Sequence, residues 1–164
     1  MMEYLYHIDK NDTVLGKIER EEAHRKRLLH RAGVVFVFNS KGRTFLTRRS
    51  NTKRIFPGCV DCVCSFHVKH GQTYEEAAKV ELLEETGIHG TPVFAGKYLL
   101  DKDPDHMYVA VFWIRHNGSL KLDPEEATEG SFYTVEEADR KIREEKITHW
   151  LPESWNIAKK AVSR

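Results

Sequence analysis

Glu81, Glu84 and Glu85 stand at i, i+3 and i+4 in the stretch GQTYEEAAKVELLEETGIHG, residues 71–90. On a helix, at about 100° per residue, the three carboxylates share one sector of roughly 100°. Like charges that close repel by about a few tenths of a kcal/mol per pair, and the plain reading is a solvated acidic face. A hard divalent cation, Mg²⁺ or Mn²⁺, would turn the repulsion into binding, because such ions take carboxylate oxygens as ligands. The sequence also carries cations for the complementary half of such chemistry. Arg48, Arg49, Lys53 and Arg54 crowd the stretch TRRSNTKR. A diphosphate held between metal on one side and Arg or Lys on the other has its charge met from both. Taken alone, the basic stretch reads equally as a solvated loop.

The helix under the glutamates is well marked. Thr73 followed by Glu76 is a capping-box pair, each side chain meeting a backbone N–H of the other. Glu-Glu-Ala-Ala favours helix, and Gly87 suits the left-handed position past a helix end. The pattern predicts a helix over 74–86. Other elements alternate around it. EYLYHID and TVLGKIE read as an N-terminal hairpin within residues 1–20, turning at Lys10-Asn11-Asp12. REEAHRKRLLH is a short helical or irregular segment. GVVFVFN and RTFLTRR are strands joined by Asn39-Ser40-Lys41-Gly42. VDCVCSF reads as one strand leading to the acidic helix, and TPVFAGKYLLD and MYVAVFWIRH as longer strands. Thr134 and Glu137 cap a helix near 135–145, and Pro152 opens a C-terminal helix over about 152–162. The class is α/β, a mixed sheet between helices.

The chain has 164 residues, 40% apolar and 31% charged. That allows one well-buried core and leaves no room for two. A net charge of +1 argues against nucleic acid or a membrane surface as partner. No apolar run approaches the roughly 18 residues of a membrane helix, and no signal-peptide core opens the chain. The expectation is a cytoplasmic single-domain protein, monomer or homodimer. Cys59, Cys62 and Cys64 are odd in number and do not suggest a disulfide framework. A zinc site would need another ligand such as His67. The simpler reading makes them small apolar residues on one strand, with Cys62 and Cys64 sharing a face.

The acidic stretch resembles the Nudix hydrolase signature, G-x5-E-x7-R-E-U-x-E-E-x-G-U, where U is a bulky aliphatic residue. Glu81, Glu84, Glu85, Gly87 and Ile88 match it, and the flanking strands extend the resemblance over nearly the whole chain. The resemblance implies a single Nudix domain over 1–164 with an α/β/α fold. It also implies Mg²⁺- or Mn²⁺-dependent hydrolysis of a small nucleotide-type X-diphosphate, with Glu81, Glu84 and Glu85 on the metal. Three positions depart. Phe66 stands at the first glycine, whose carbonyl approaches the metal, so some strain is expected there. Gln72 replaces the early glutamate. Val80 replaces an arginine that orients a box glutamate, so Glu81 or its neighbours are expected to be less well held unless another cation, Arg48 or Arg54, does the orienting. Many Nudix hydrolases take the general base from a later loop. Here DPEEATEG offers Glu125, Glu126 and Glu129, with Glu126 or Glu129 favoured and Glu84 as the fallback.

The upstream half, HRKRLLHRAGVVFVFNSKGRTFLTRRSNTKRIFPG, is similar to the Nudix-fold isopentenyl-diphosphate isomerases and to the hydrolases most like them. That similarity implies metal-binding roles for His24, His30 and His67, and diphosphate binding by Arg49 and Lys53. It also implies a cation–π role for Trp150. The isomerase acid–base pair, a cysteine and a glutamate, falls on Ser65 and Met107. Cys64, the neighbour of Ser65, points to the opposite face of a strand. A serine and a thioether cannot replace the pair. The balance therefore favours a hydrolase. A divergent isopentenyl-diphosphate isomerase and a catalytically weak diphosphate-binding protein are the alternatives.

Overall fold

In the computed structural model, which describes residues 2–163, the chain enters through a hairpin of β1 (Tyr4–Ile8) and β2 (Val14–Glu19), paired antiparallel. Met1, the first residue of the expected hairpin, lies outside the described residues. A short helix α1 (Arg20–Arg25) leads into β3 (His30–Phe38), and β4 (Thr44–Arg49) follows. Then come β5 (Val60–Cys62), β6 (Cys64–His67) and helix α2 (Tyr74–Thr86). The chain continues through β7 (Val93–Lys102), β8 (Asp105–Arg115), β9 (Ala127–Tyr133), α3 (Val135–Glu144) and α4 (Leu151–Val162).

The apolar run GVVFVF is buried along its whole length in β3, as a strand covered on both faces demands. It runs parallel to β8, from His30 beside Met107 to Phe38 beside Arg115. The sheet order is β5-β4-β3-β8-β7, with β6 pairing β3 and β9 pairing β4. Helices cover both faces. On one, Ala77, Ala78 and Leu82 of α2 meet Val35, Val37, Cys64 and Phe112. On the other, Ala138 of α3 and Leu151, Trp155 and Ala158 of α4 meet Val34, Phe36 and Val111. The sheet and its two covers form the expected α/β/α arrangement.

Two expectations fail. VDCVCSF is not one strand: it breaks at Val63, β5 pairing with β4 and β6 with β3. Cys62 and Cys64 therefore do not share a face, and they join the two opposite cores. All three cysteines are buried free thiols. The apolar run concealed the break, since both halves are buried and neither alternates. The stretch DPEEATEG is loop only in its first half. From Ala127 onward it is β9, and Glu129 sits opposite Arg48 on β4. Glu, Gly and Ser hide a strand whose support comes from its neighbour.

The hairpin turn is fastened to the sheet by Asp12. Its carboxylate takes Arg31 Nε at 2.7 Å, Lys97 Nζ at 2.6 Å and the Tyr74 hydroxyl at 2.8 Å. Burial works to raise its pKa, but the donors Lys97, Arg31 and Tyr74 outweigh burial and hold it below the ordinary 3.8. The carboxylate thus contributes stability at neutral pH, and that share is lost as pH falls below 3.8 towards its folded-state value. Asp12→Asn should cost about 1–2 kcal/mol at neutral pH, less than a fully buried pair because the site is partly solvated. Thermal melts should show the gap between the two proteins closing in acid; a gap independent of pH would contradict the ion-pair role.

Candidate active site

Helix α2 forms as its ends dictate. Thr73 Oγ1 accepts from Glu76 N–H at 3.0 Å, the Glu76 carboxylate accepts from Thr73 N–H at 3.2 Å, and Gly87 closes the helix at φ 77°. Of the three glutamates, Glu84 is exposed, while Glu81 and Glu85 are half-buried against the sheet. Burial, reinforced by the charge of Glu84, raises the pKa of Glu81. Burial, with the charges of Glu81 and Glu126 next, pushes Glu85 up to about 9. Crowded, desolvated carboxyl groups hold protons until a cation displaces them, so the donor set suits a hard divalent ion.

The departures from the signature have structural explanations. Phe66 lies within β6, and its φ is not among the positive values. The backbone at this position therefore does not adopt the left-handed conformation that would call for glycine. The aromatic ring lies over Gly33, its cross-strand partner on β3. A Cβ on Gly33 would meet Phe66 Cζ at 2.5 Å, so the bulk at one site is matched by its absence at the other. The Gln72 side chain accepts from Lys69 N–H at 3.0 Å and serves the turn before α2. Val80 is 41% exposed. Arg48 does not take over the missing arginine's task, because Glu129 and Glu145 hold it at 2.8 and 2.7 Å. Arg54 is 80% exposed and reaches only Glu21, at 3.9 Å. Among the described residues, no ion pair engages Glu81, Glu84 or Glu85.

A cavity of about 120 Å³ opens where β3, β4, β6 and β8 come together. Ala32, Val34, Met107 and Val109 make its apolar floor, and Trp150 one wall. Arg20, Arg49 and Lys53 line its cationic side. Glu126 lines it too and meets Lys53 Nζ at 2.8 Å. Of the two favoured bases, Glu126 is thus at the cavity, within electrostatic reach of Glu81 and Glu85. Glu129 is on β9 with Arg48, outside the cavity lining. Arg49 Nε and Nη2 both donate to Ile55 O, at 3.2 and 2.9 Å. Phe56, at φ 52°, packs its ring edge-on against His149 and Trp150, holding the intervening loop over the cavity. Ser65 lines the cavity, whereas Cys64 lies in the α2-facing core.

His24, His30 and His67 come together, with ligand nitrogens all within 4.8 Å. His24 Nε2 and His67 Nε2 are 3.2 Å apart. His30 Nδ1–H donates to Leu28 O at 2.8 Å, which leaves its buried Nε2 without a partner. Burial lowers the pKa of all three, that of His30 to about 4. Neutral imidazoles with an unpartnered, inward-facing nitrogen fit a first-row divalent cation.

Three groups at or beside the cavity carried no role in the sequence reading. Arg20, in the segment expected to be short helical or irregular, opens helix α1 and lines the cavity. Asp105 lines the cavity and holds His149 Nδ1 at 2.8 Å. Asp61 is 2% exposed and accepts from donors on four residues, Cys62, Ser65, Thr148 and Trp150. Its signal was available: a carboxylate inside an apolar run must find partners.

A mixed sheet covered by helices on both faces, with an acidic helix beside a cationic cavity, defines a Nudix-type α/β/α protein. The chain belongs to the Nudix family, whose NUDIX domain model matches residues 28–151. It is 30% identical over 148 residues to an uncharacterized Nudix hydrolase of Pseudomonas aeruginosa, covering 90% of this chain and 86% of that one. It is 29% identical over 171 residues to an isopentenyl-diphosphate Delta-isomerase of Pectobacterium atrosepticum, covering 96% of each. The crystal structure of DR0079 from Deinococcus radiodurans superposes with a TM-score of 0.79 at 22% identity, covering 97% of this chain and 99% of that one. No helix of the described residues is long and apolar enough to cross a membrane.

Proposed function

We propose that the protein hydrolyses a diphosphate bond in a small X-diphosphate, with Mg²⁺ or Mn²⁺ held by Glu81, Glu84 and Glu85. The observation that carries this reading is the crowding of desolvated carboxylates on α2 near a cavity lined by cations. Lys53, Arg49 and Arg20 line the cavity with Glu126, whose charge is felt by Glu81 and Glu85 on the helix. The cation would supply Lewis-acid stabilisation of charge on the phosphate oxygens. Arg49 and Lys53 neutralise the same oxygens from the opposite side. Glu126 accepts the proton of the attacking water, and its ion pair with Lys53 sets its direction. Glu84 is the fallback base.

The isomerase reading is favoured by one observation, the gathering of His24, His30 and His67 beside a cavity walled by Trp150. Two residues oppose it. Ser65 and Met107 occupy the acid and base positions, and each lost proton-transfer group costs about 10²- to 10⁴-fold. The decisive experiment incubates the protein and Mg²⁺ with a panel of nucleoside, sugar and isoprenoid diphosphates, in ordinary and deuterated water. Released phosphate or monophosphate is expected from at least one compound, with no deuterium entering isopentenyl or dimethylallyl diphosphate. Enzyme-dependent deuterium uptake would install the isomerase reading. Binding without release would install the catalytically weak, diphosphate-binding one.

A further inference from the structure

Asp61 lies on β5 at the point where the sheet divides, and every partner it has is a donor. Its Oδ1 accepts from Cys62 N–H at 2.8 Å, from Trp150 Nε1–H at 2.9 Å and from the Thr148 hydroxyl at 3.3 Å. Its Oδ2 accepts from the Ser65 hydroxyl at 3.1 Å and faces Arg49 Nη1 at 3.5 Å. Burial raises its pKa above the ordinary 3.8, against the opposing pull of Arg49, Trp150 and Cys62. A carboxyl group surrounded only by donors suits the ionised form, since a protonated one would aim its own hydrogen at another. Three of the donors come from separate elements and line the same cavity: Arg49 from β4, Ser65 from β6 and Trp150 from the N-terminus of α4.

We infer that Asp61 is a positioning residue that sets the Arg49 guanidinium for the diphosphate, acting through Arg49 and touching no substrate. This rests on the reading of the cavity as a diphosphate site. The guanidinium is committed on two sides, Nε and Nη2 to Ile55 O and Nη1 towards Asp61. Its plane lies over Trp150, Cζ standing 5.5 Å from the ring centroid, and Asp61 holds that indole as well. One buried carboxylate thereby fixes both the cation and the surface it rests on. A planar fork held in this way binds phosphate oxygens directionally, which a freely rotating ammonium does not.

Asp61→Asn tests this selectively. The amide keeps an oxygen for Cys62 N–H and Trp150 Nε1–H, and Ser65 can accept from the new NH₂. Only Arg49 is left facing a donor. Calorimetric titration with inorganic diphosphate and Mg²⁺ should show binding weakened by at least about tenfold, as for groups that orient a ligand-binding side chain. The Asp61→Asn, Arg49→Gln double variant should bind no more weakly than Arg49→Gln alone, because the two act as one unit. Mn²⁺ affinity in the absence of diphosphate should not change. Unaltered diphosphate binding in Asp61→Asn, multiplying effects in the double variant, or a parallel loss of Mn²⁺ affinity would each overturn the inference. If circular dichroism shows that Asp61→Asn does not fold, Arg49→Lys takes its place. It keeps the charge and loses the fork, so binding should weaken by a similar factor, and wild-type affinity would overturn the inference. A wild-type chain that binds no diphosphate would overturn the underlying reading, and this one with it.

Discussion

Glu85→Gln should lower Mg²⁺-dependent turnover by at least about 100-fold, the upper end for groups that organise a metal site, while making the metal-free protein more stable at alkaline pH. The opposite signs have one cause. Burial and the neighbouring charges of Glu81 and Glu126 raise the Glu85 pKa from 4.5 to about 9. Between those values the folded chain binds a proton that the unfolded chain has released. Stability therefore falls as pH rises through this interval. A glutamine has no proton to lose, and its curve should be flat over the same range. Saturating Mg²⁺ should restore wild-type stability at the alkaline end, since the ion binds only the folded carboxylates. Thermal melts of both proteins, with chelator and with Mg²⁺, read the effect. A metal-free glutamine variant less stable than wild type near the top of that range would show that Glu85 is a structural hydrogen-bond partner instead.

Phe66→Ala should be the most destabilising of the single changes considered, by about 3–5 kcal/mol, as for other buried aromatic truncations. At roughly 2–4 °C per kcal/mol for a chain of this size, the melting temperature should drop by about 6–20 °C. The ring is packed against the core under α2 and covers the bare backbone of Gly33. Gly33→Ala should also destabilise, since its methyl would strike the ring edge at 2.5–2.8 Å and the Ala110 carbonyl at 3.3 Å. The two together should cost less than the sum, because the methyl occupies space that the ring vacates. Additive losses would mean that Phe66 and Gly33 are not matched. The position that carries a glycine in the family signature is here a packing position.

The most legible parts of the sequence were those governed by local rules. The cap at Thr73, the αL glycine at 87 and the apolar run of β3 each state their conformation within a few residues, and the helix and strand follow. The acidic face of α2 was legible for the same reason, since its spacing is a property of the helix alone. What stayed hidden depends on neighbours far away in sequence. The break at Val63 exists because β4 and β3 each take half of the segment. β9 exists because β4 offers it an edge. Asp61 reads as an anomaly in an apolar strand until Trp150, Thr148 and Arg49 arrive from other elements. Choosing between Glu126 and Glu129 required the register of β9, which turns Glu129 to Arg48 and leaves Glu126 at the cavity.

The claim that Glu81 and Glu85 hold the metal is tested most directly by a Mn²⁺ titration followed by electron paramagnetic resonance. The comparison sets wild type against a Glu81→Gln, Glu85→Gln double variant and a His24→Gln, His67→Gln double variant. Wild type should bind Mn²⁺ at the acidic helix, the histidine variant should retain that site, and the glutamate variant should lose it while remaining folded. Mn²⁺ binding that survives the loss of both glutamates and disappears with the histidines would contradict the assignment of the metal to the helix.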